Sequence, residues 1–207
     1  MPNTIVMEVF TDYVCPWCYL GNSRMKRLKQ EFDILIQVVH FPLHPETPTE
    51  GRLLQELFEC DLKEIKAKNI QMKNLMIAEG LAYNDRTHTY NSRLAQEVGM
   101  WAESQMMADN IHDKFYQAYF VEGRNIGDIE VIIEIIKSIG LDEDEGRAII
   151  AERRYADGVD SNWTKSRNNN IYGVPTYAID GHTLGGAQPY NVLQEFMYKV
   201  GAKKRHV

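Results

Sequence analysis

The chain has 207 residues, a formal net charge of −6, 44% apolar and 25% charged residues. That composition is ordinary for a globular protein, and the acidic balance excludes a nucleic-acid binder, which needs a basic face to neutralise phosphates. Three cysteines are too few for a disulfide-stapled secreted fold, and no apolar run approaches the roughly 18 residues that suggest a membrane span.

Met1-Pro2-Asn3-Thr4 shows no basic or apolar leader pattern, so the chain reads as cytoplasmic. Ile5 to Phe10 is short, apolar and β-branched, the pattern of a buried strand. Thr11 to Val14 make a turn, and a helix opens at Cys15-Pro16-Trp17-Cys18, where proline suits the first helical turn. Trp17, Leu20, Met25, Leu28 and Phe32 then recur at roughly helical spacing. Ile34 to Phe41 is a second strand, ended by three prolines between Pro42 and Pro48.

From Thr49 to Asn170 the pattern is almost wholly helical. The expected helices are 50–66, 69–79, 91–103, 105–121, 128–139 and 143–168, with Asn91 and Asp128 as N-caps. Near Tyr172 the period returns to two. Pro175 to Asp180 is a strand, Gly181-His182 the hairpin turn, Thr183 to Gly185 the return strand, and Pro189 opens a last amphipathic helix. The terminal Lys203-Lys204-Arg205 reads as a solvated tail. The expected architecture is therefore α/β: a thioredoxin-like fold, with a central mixed sheet flanked by helices, formed by 1–48 and 171–207. An all-helical domain, 49–170, is inserted after the first βαβ unit.

Cys15 and Cys18 carry the chemistry. The thiolate attacks disulfides, and a helix N-terminus favours negative charge on sulfur. Cys15 falls at the end of the strand and the start of the helix. Cys18 lies one turn on, close enough to bond to Cys15 or to resolve a mixed disulfide. Cys15 is expected as the exposed nucleophile and Cys18 as the more buried resolving thiol. A lone Cys-x-x-Cys can also be half of a zinc site, but zinc wants four ligands and the chain has no second pair, so no metal is expected. Trp17 is read as a surface residue that stacks on substrate, Asp12 as a turn former, and Cys60 as a buried free thiol on a helix. Met72, Met76, Met100, Met106 and Met107 are read as helical core, with a methionine-lined groove for unfolded chains as the other option. Pro175 heads a strand that would otherwise be central. It is either an ordinary trans proline or a cis proline that frees the Val174 backbone for an extended substrate.

The run Cys15-Pro16-Trp17-Cys18-Tyr19-Leu20-Gly21, together with Phe41-Pro42-Leu43-His44-Pro45, Gly186-Ala187-Gln188 and Gly173-Val174-Pro175-Thr176-Tyr177, resembles the DsbA family, and within it the FrnE-like branch of cytoplasmic dithiol oxidoreductases. The resemblance covers essentially the whole chain. It implies a thiol–disulfide oxidoreductase or isomerase with a Cys15 nucleophile, a cis Pro175 facing it, and a substrate surface of Pro16, Trp17, Val174 and Pro175. It implies no cofactor beyond a redox-active Cys15–Cys18 disulfide, with glutathione as a possible co-substrate. The partners would be protein or small-molecule disulfides and thiols, without nucleic acid or membrane, for a monomer or homodimer. The family often carries Ala-His where this chain has Ala95-Gln96. Kappa-class glutathione transferases and 2-hydroxychromene-2-carboxylate isomerases are similar too, but have serine where Cys15 stands. They supply one alternative, and a peptide-binding holdase module supplies another. With Pro16-Trp17 rather than a histidine between the cysteines, a couple less oxidising than DsbA is expected.

Overall fold

The structure, a computed structural model, describes residues 5–205; the leader reading of Met1 to Thr4 lies outside the described residues. In chain order the elements are β1 (Ile5–Thr11), α1 (Pro16–Glu31), β2 (Ile34–His40), β3 (Arg52–Leu53), α2 (Leu54–Phe58), α3 (Leu62–Ala78), β4 (His88–Thr89), α4 (Arg93–Ser104), α5 (Ala108–Phe120), α6 (Ile129–Ser138), α7 (Glu143–Glu152), α8 (Ala156–Asn168), β5 (Thr176–Ile179), β6 (His182–Gly185) and α9 (Tyr190–Lys199). The main sheet has the order β2-β1-β5-β6. β1 runs parallel to β2, with Val9 opposite Val38, and antiparallel to β5, with Val9 opposite Tyr177. This is the mixed thioredoxin-like sheet expected from the sequence.

β1 is central and covered on both faces, which explains its largely apolar run, interrupted by Glu8. On one face Met7 and Val9 pack with Met25 and Leu28 of α1 and Leu193, Phe196 and Met197 of α9. On the other, Phe10 and Val39 pack with Ile171. That face is covered by α8, where Asn162 Oδ1 accepts the His40 N–H at 2.8 Å and Lys165 pairs with Glu8. A second cluster joins the start of α1 to the helical segment: Tyr13, Cys15, Cys18 and Leu20 share one core with Trp101, Phe115, Tyr116 and Phe120.

The helical segment differs from its sequence reading at its breaks. The expected helix over 50–66 is a two-residue strand, β3, paired with β4 (Arg52 with Thr89, Leu53 with His88), then the short α2, then a new helix at Leu62. The break follows from Glu59, which takes φ +50° in the left-handed region, and from Asp61, which caps α3 by accepting the Glu64 N–H. Cys60 sits in this break, half-buried, so it is neither on a helix nor in the core. The expected helix over 143–168 breaks at Arg153, at φ +54°, whose guanidinium is held by Glu97 at 2.6 Å. Asp128 caps α6 as expected; the N-cap of α4 is Ser92 rather than Asn91, whose Oδ1 accepts the Arg93 N–H from one residue earlier.

At the other end, the hairpin turn is Asp180-Gly181 rather than Gly181-His182. Both residues have positive φ, the requirement of a tight two-residue turn that Asp-Gly meets. The terminal Lys203-Lys204-Arg205 is docked rather than free. Lys204 pairs with Glu31 at 2.8 Å, Arg205 Nε donates to the Lys29 and Phe32 carbonyls, and Phe32 bridges to Lys204. The five methionines form no common exposed groove: Met72 and Met76 are core, while Met106 is 93% exposed.

Gly21 marks the closest approach of α1 to β5. A Cβ there would lie 2.7 Å from the Tyr177 hydroxyl and 3.4 Å from Pro175 Cγ. Tyr177 is fully buried, so its ring must shift with its neighbours to make room. Gly21→Ala is expected to cost about 1–3 kcal/mol by overpacking. In a Tyr177→Phe background the same change is expected to cost markedly less, as read by urea denaturation of the four members of the cycle; equal costs in both backgrounds contradict the contact.

Candidate active site

Cys15 is the N-cap of α1, at φ −89° and ψ 114°, with Pro16 in the first turn. Its carbonyl accepts the N–H of Cys18 at 3.0 Å and of Tyr19 at 3.2 Å, and its N–H donates to the Asp12 carbonyl at 3.1 Å. The strand-to-helix turn thus fixes Cys15 where the helix field favours an anion. Both cysteines are free thiols, and both are buried: Cys15 is 3% and Cys18 2% exposed. Cys15 is therefore not the exposed residue the sequence suggested. The helical segment closes over the turn, packing Tyr13, Val14 and Cys15 into its own core. Trp17 does reach the surface, at 38% exposure.

The two sulfurs differ in environment. Burial pushes the Cys18 thiol well above the usual cysteine range. Its hydrogen bond to Cys15 and the charge there push the same way, opposed by bonds from the Thr11 hydroxyl and the Asp12 backbone. Cys18 therefore holds its proton toward Cys15. Cys15 Sγ lies 3.5 Å from the Val174 carbonyl oxygen, to which it donates, and the Val174–Pro175 peptide is cis. The chain ends thus meet at this point, 159 residues apart in sequence. Val174 is half-buried and Pro175 buried, while Gly173 and Tyr172 before them are exposed. In the dithiol form the Val174 carbonyl faces Cys15 rather than standing free.

The loop Gly186-Ala187-Gln188 clamps α1 from the far side. Its Ala187 and Gln188 carbonyls accept from Arg24 Nη1 at 2.8 and 2.7 Å, and the same guanidinium reaches Oε1 of Glu79, the C-cap of α3, at 2.5 Å. Gln96, where the family often has histidine, is fully buried. It donates to the Phe41 carbonyl and accepts from Trp163 Nε1 at 2.8 Å, tying α4 to α8 and to the end of β2.

Three groups near the motif carry more than the sequence suggested. Asp12 is fully buried. Its Oδ1 accepts the Val14 N–H at 3.1 Å and its Oδ2 the Leu43 N–H at 3.0 Å, so it does form the turn. Burial nevertheless raises its carboxyl from 3.8 to about 6, against those hydrogen bonds. Tyr13 OH bonds His112 Nδ1 at 2.6 Å, and His112 Nε2 lies 3.2 Å from Glu103 Oε1. His40 stands beside them, 3.9 Å from the same carboxylate oxygen, and burial lowers it to about 4. His112 and Glu103 come from α5 and α4; their spacing from Tyr13 gives no local signal, so sequence reading missed this cluster. Among the described residues no group of three or more His, Cys, Asp or Glu is placed to hold a metal ion, and no helix is long and apolar enough to cross a membrane.

A strand-to-helix dithiol facing a cis proline on this sheet defines a thioredoxin-type site. Residues 6–198 match the model of the DSBA-like thioredoxin domain, and the chain belongs to that family. A relative, the uncharacterized protein YwbO of Bacillus subtilis, is 24% identical over 97% of this chain and 100% of its own. The structure is similar to that of a probable DsbA oxidoreductase, SCO1869, from Streptomyces coelicolor (TM-score 0.89, 24% identity, 95% of this chain and 89% of that one). It is also similar to a 2-hydroxychromene-2-carboxylate isomerase (0.78, 16%, 94% and 95%). The cytosolic disulfide reductase DsbM of Pseudomonas aeruginosa matches at 0.68 and 16%, over 95% and 100% of the chains, and has also been solved with GSH. At these identities the structural likenesses show the shared fold.

The two buried titrating groups act oppositely on stability. Asp12 binds its proton more tightly when folded, so its contribution is complete below about pH 4 and is lost as pH rises through about 6. His40, lowered from 6.5 to about 4, contributes above 6.5 and loses that contribution as pH falls toward 4. Between about pH 4 and pH 7 the stability of the wild type relative to Asp12→Asn is expected to fall by about 2–3 kcal/mol. Urea titrations across that range check it, and a constant difference contradicts a raised Asp12.

Proposed function

We propose that the chain is a thiol–disulfide oxidoreductase working through Cys15 and Cys18. The observation that carries this reading is the pairing of an N-cap sulfur at Cys15, opposite the Val174 carbonyl and cis Pro175, with a buried Cys18 that retains its proton. The Cys15 thiolate attacks a substrate disulfide, forming a mixed disulfide and expelling one substrate thiolate. Cys18 then loses its proton and attacks Cys15 Sγ. The second substrate thiolate leaves, the substrate is reduced by two electrons, and Cys15–Cys18 becomes a disulfide. Thiols of the compartment return it to the dithiol; run backwards, the same steps oxidise or isomerise a substrate. No further cofactor enters these steps.

Pro16, Trp17, Val174 and Pro175 form the proposed substrate surface. The exposed Trp17 ring stacks on the incoming chain. Opening of the Cys15–Val174 contact frees that carbonyl to pair with an extended segment. Glutathione fits as thiol donor, a partner that the DsbM complex supports. The FrnE-like, cytoplasmic assignment, with residues 49–170 as an inserted helical domain, belongs to the same proposal. Without a histidine between the cysteines, the couple is expected to be less oxidising than the roughly −120 mV of DsbA; equilibration with a glutathione buffer measures this, and a potential above that value contradicts it.

A second reading, a glutathione-dependent isomerase or transferase, is favoured by the similarity to the 2-hydroxychromene-2-carboxylate isomerase. It needs only one sulfur. With insulin as substrate and glutathione as donor, Cys15→Ser is expected to lose at least about 100-fold in turnover, and Cys18→Ser to stall as a covalent mixed disulfide at Cys15. Full multiple turnover by Cys18→Ser would select the single-sulfur reading instead.

A further inference from the structure

Behind the dithiol lies a cavity of about 440 Å³ between α1, α5 and the β1–β2 edge of the sheet. One stripe of α1 lines it: Cys18, Gly21, Asn22, Met25, Lys26 and Lys29, spaced as a single helical face. His112 and Tyr116 of α5 stand opposite. Cys18 is on its wall; Cys15, Trp17 and Val174 are not among its lining residues, and Pro175 alone of the proposed substrate surface is shared with it. Three buried polar atoms on the wall lack a hydrogen-bond partner: the Tyr177 hydroxyl, which is fully buried, and His112 Nε2 and Glu103 Oε1, which face each other at 3.2 Å. The rim lysines are already engaged, Lys29 by Asp109 at 2.7 Å and Lys26 by Asp113. The volume falls in the range of small-molecule sites.

We propose that this cavity admits a low-molecular-weight thiol to Cys18, giving the disulfide form two entries: protein substrates at Cys15 and small thiols at Cys18. The inference rests on the oxidoreductase reading above. The chemistry of the first step favours it, because disulfide cleavage is faster when the departing sulfur is the better-stabilised thiolate. Attack on Cys15 expels Cys18, whose anion is disfavoured by burial. Attack on Cys18 expels Cys15 into the N-terminal field of α1. The small thiolate bonds to Cys18 Sγ, the Cys15–Cys18 bond breaks, and Cys15 leaves as the thiolate. A second small thiolate then attacks the adduct, releasing the small disulfide and leaving Cys18 to take a proton. Two electrons pass from two thiols to the protein. Tyr177 OH is the unused group that would hold one polar end of the guest, with the facing His112 Nε2 and Glu103 Oε1 beside it.

The test uses the full chain in its oxidised form and 2-mercaptoethanol as the probe. After rapid acid quench, maleimide alkylation and peptide mapping, the expected species carries mercaptoethanol on Cys18 and maleimide on Cys15. The reverse pattern overturns the inference while leaving the oxidoreductase reading intact. Failure to form any intramolecular disulfide overturns both. As a second readout, Ala108→Phe and Gln37→Phe, at half-buried and exposed positions on the cavity wall, are expected to slow reduction by 2-mercaptoethanol about tenfold by obstructing access. Ile70→Phe, exposed on α3, is the control. Plugged variants that react as fast as this control overturn the inference even if no adduct accumulates.

Discussion

The site depends on one constraint: the turn between β1 and α1 is held inside the protein rather than on its rim. Asp12 anchors it through the Val14 and Leu43 amides, and the Asp12 carbonyl receives the Cys15 N–H. Tyr13 then reaches into the helical segment and bonds His112. With both ends of the turn tied down, Cys15 can only cap α1 and Cys18 can only face the core. The inequality of the two sulfurs is thus a consequence of packing, before any chemistry is considered.

That packing explains why the helical segment and the sheet behave as parts of one site. The core that buries Cys18 is built from Tyr116, Phe115 and Phe120 as much as from α1 itself. Thr11, which bonds Cys18, is held in turn by the Tyr116 hydroxyl at 2.8 Å. Arg24 ties α1 both to α3 and to the loop before α9. The helices therefore set the depth and polarity around the thiols, and the sheet supplies the opposing Val174–Pro175 edge. The cost is a set of buried polar groups, Asp12 and His40 among them, whose titration has opposite effects on stability.

Much of this was legible in the sequence because it is local. The apolar run of β1, the proline after Cys15, the Asp128 cap and the presence of a hairpin near Gly181, though its turn lies one residue earlier than the pattern suggests, all act within a few residues. The parallel β1–β2 pair and the antiparallel β5–β6 hairpin of one mixed sheet follow from the strands and helices on either side of the helical block. What was not legible is held by distant partners. Glu59 and Arg153 occupy left-handed backbone that glycine usually takes, and no composition signal marks them; Arg153 is held there by Glu97, 56 residues away. The β3–β4 pair is two residues long and reads as helix by composition. The burial of Cys15 and the Tyr13–His112–Glu103–His40 cluster arise only when α4 and α5 fold onto the turn.

The central claim is that burial keeps Cys18 protonated while Cys15 is the reacting sulfur. It is tested most directly by following thiolate absorbance at 240 nm against pH in Cys15→Ser/Cys60→Ala, where Cys18 is the only thiol left, with the further Cys18→Ser variant as the blank. The account predicts that the Cys18 signal rises well above the ordinary cysteine value of about 8.5. A thiolate at or below that value would contradict it.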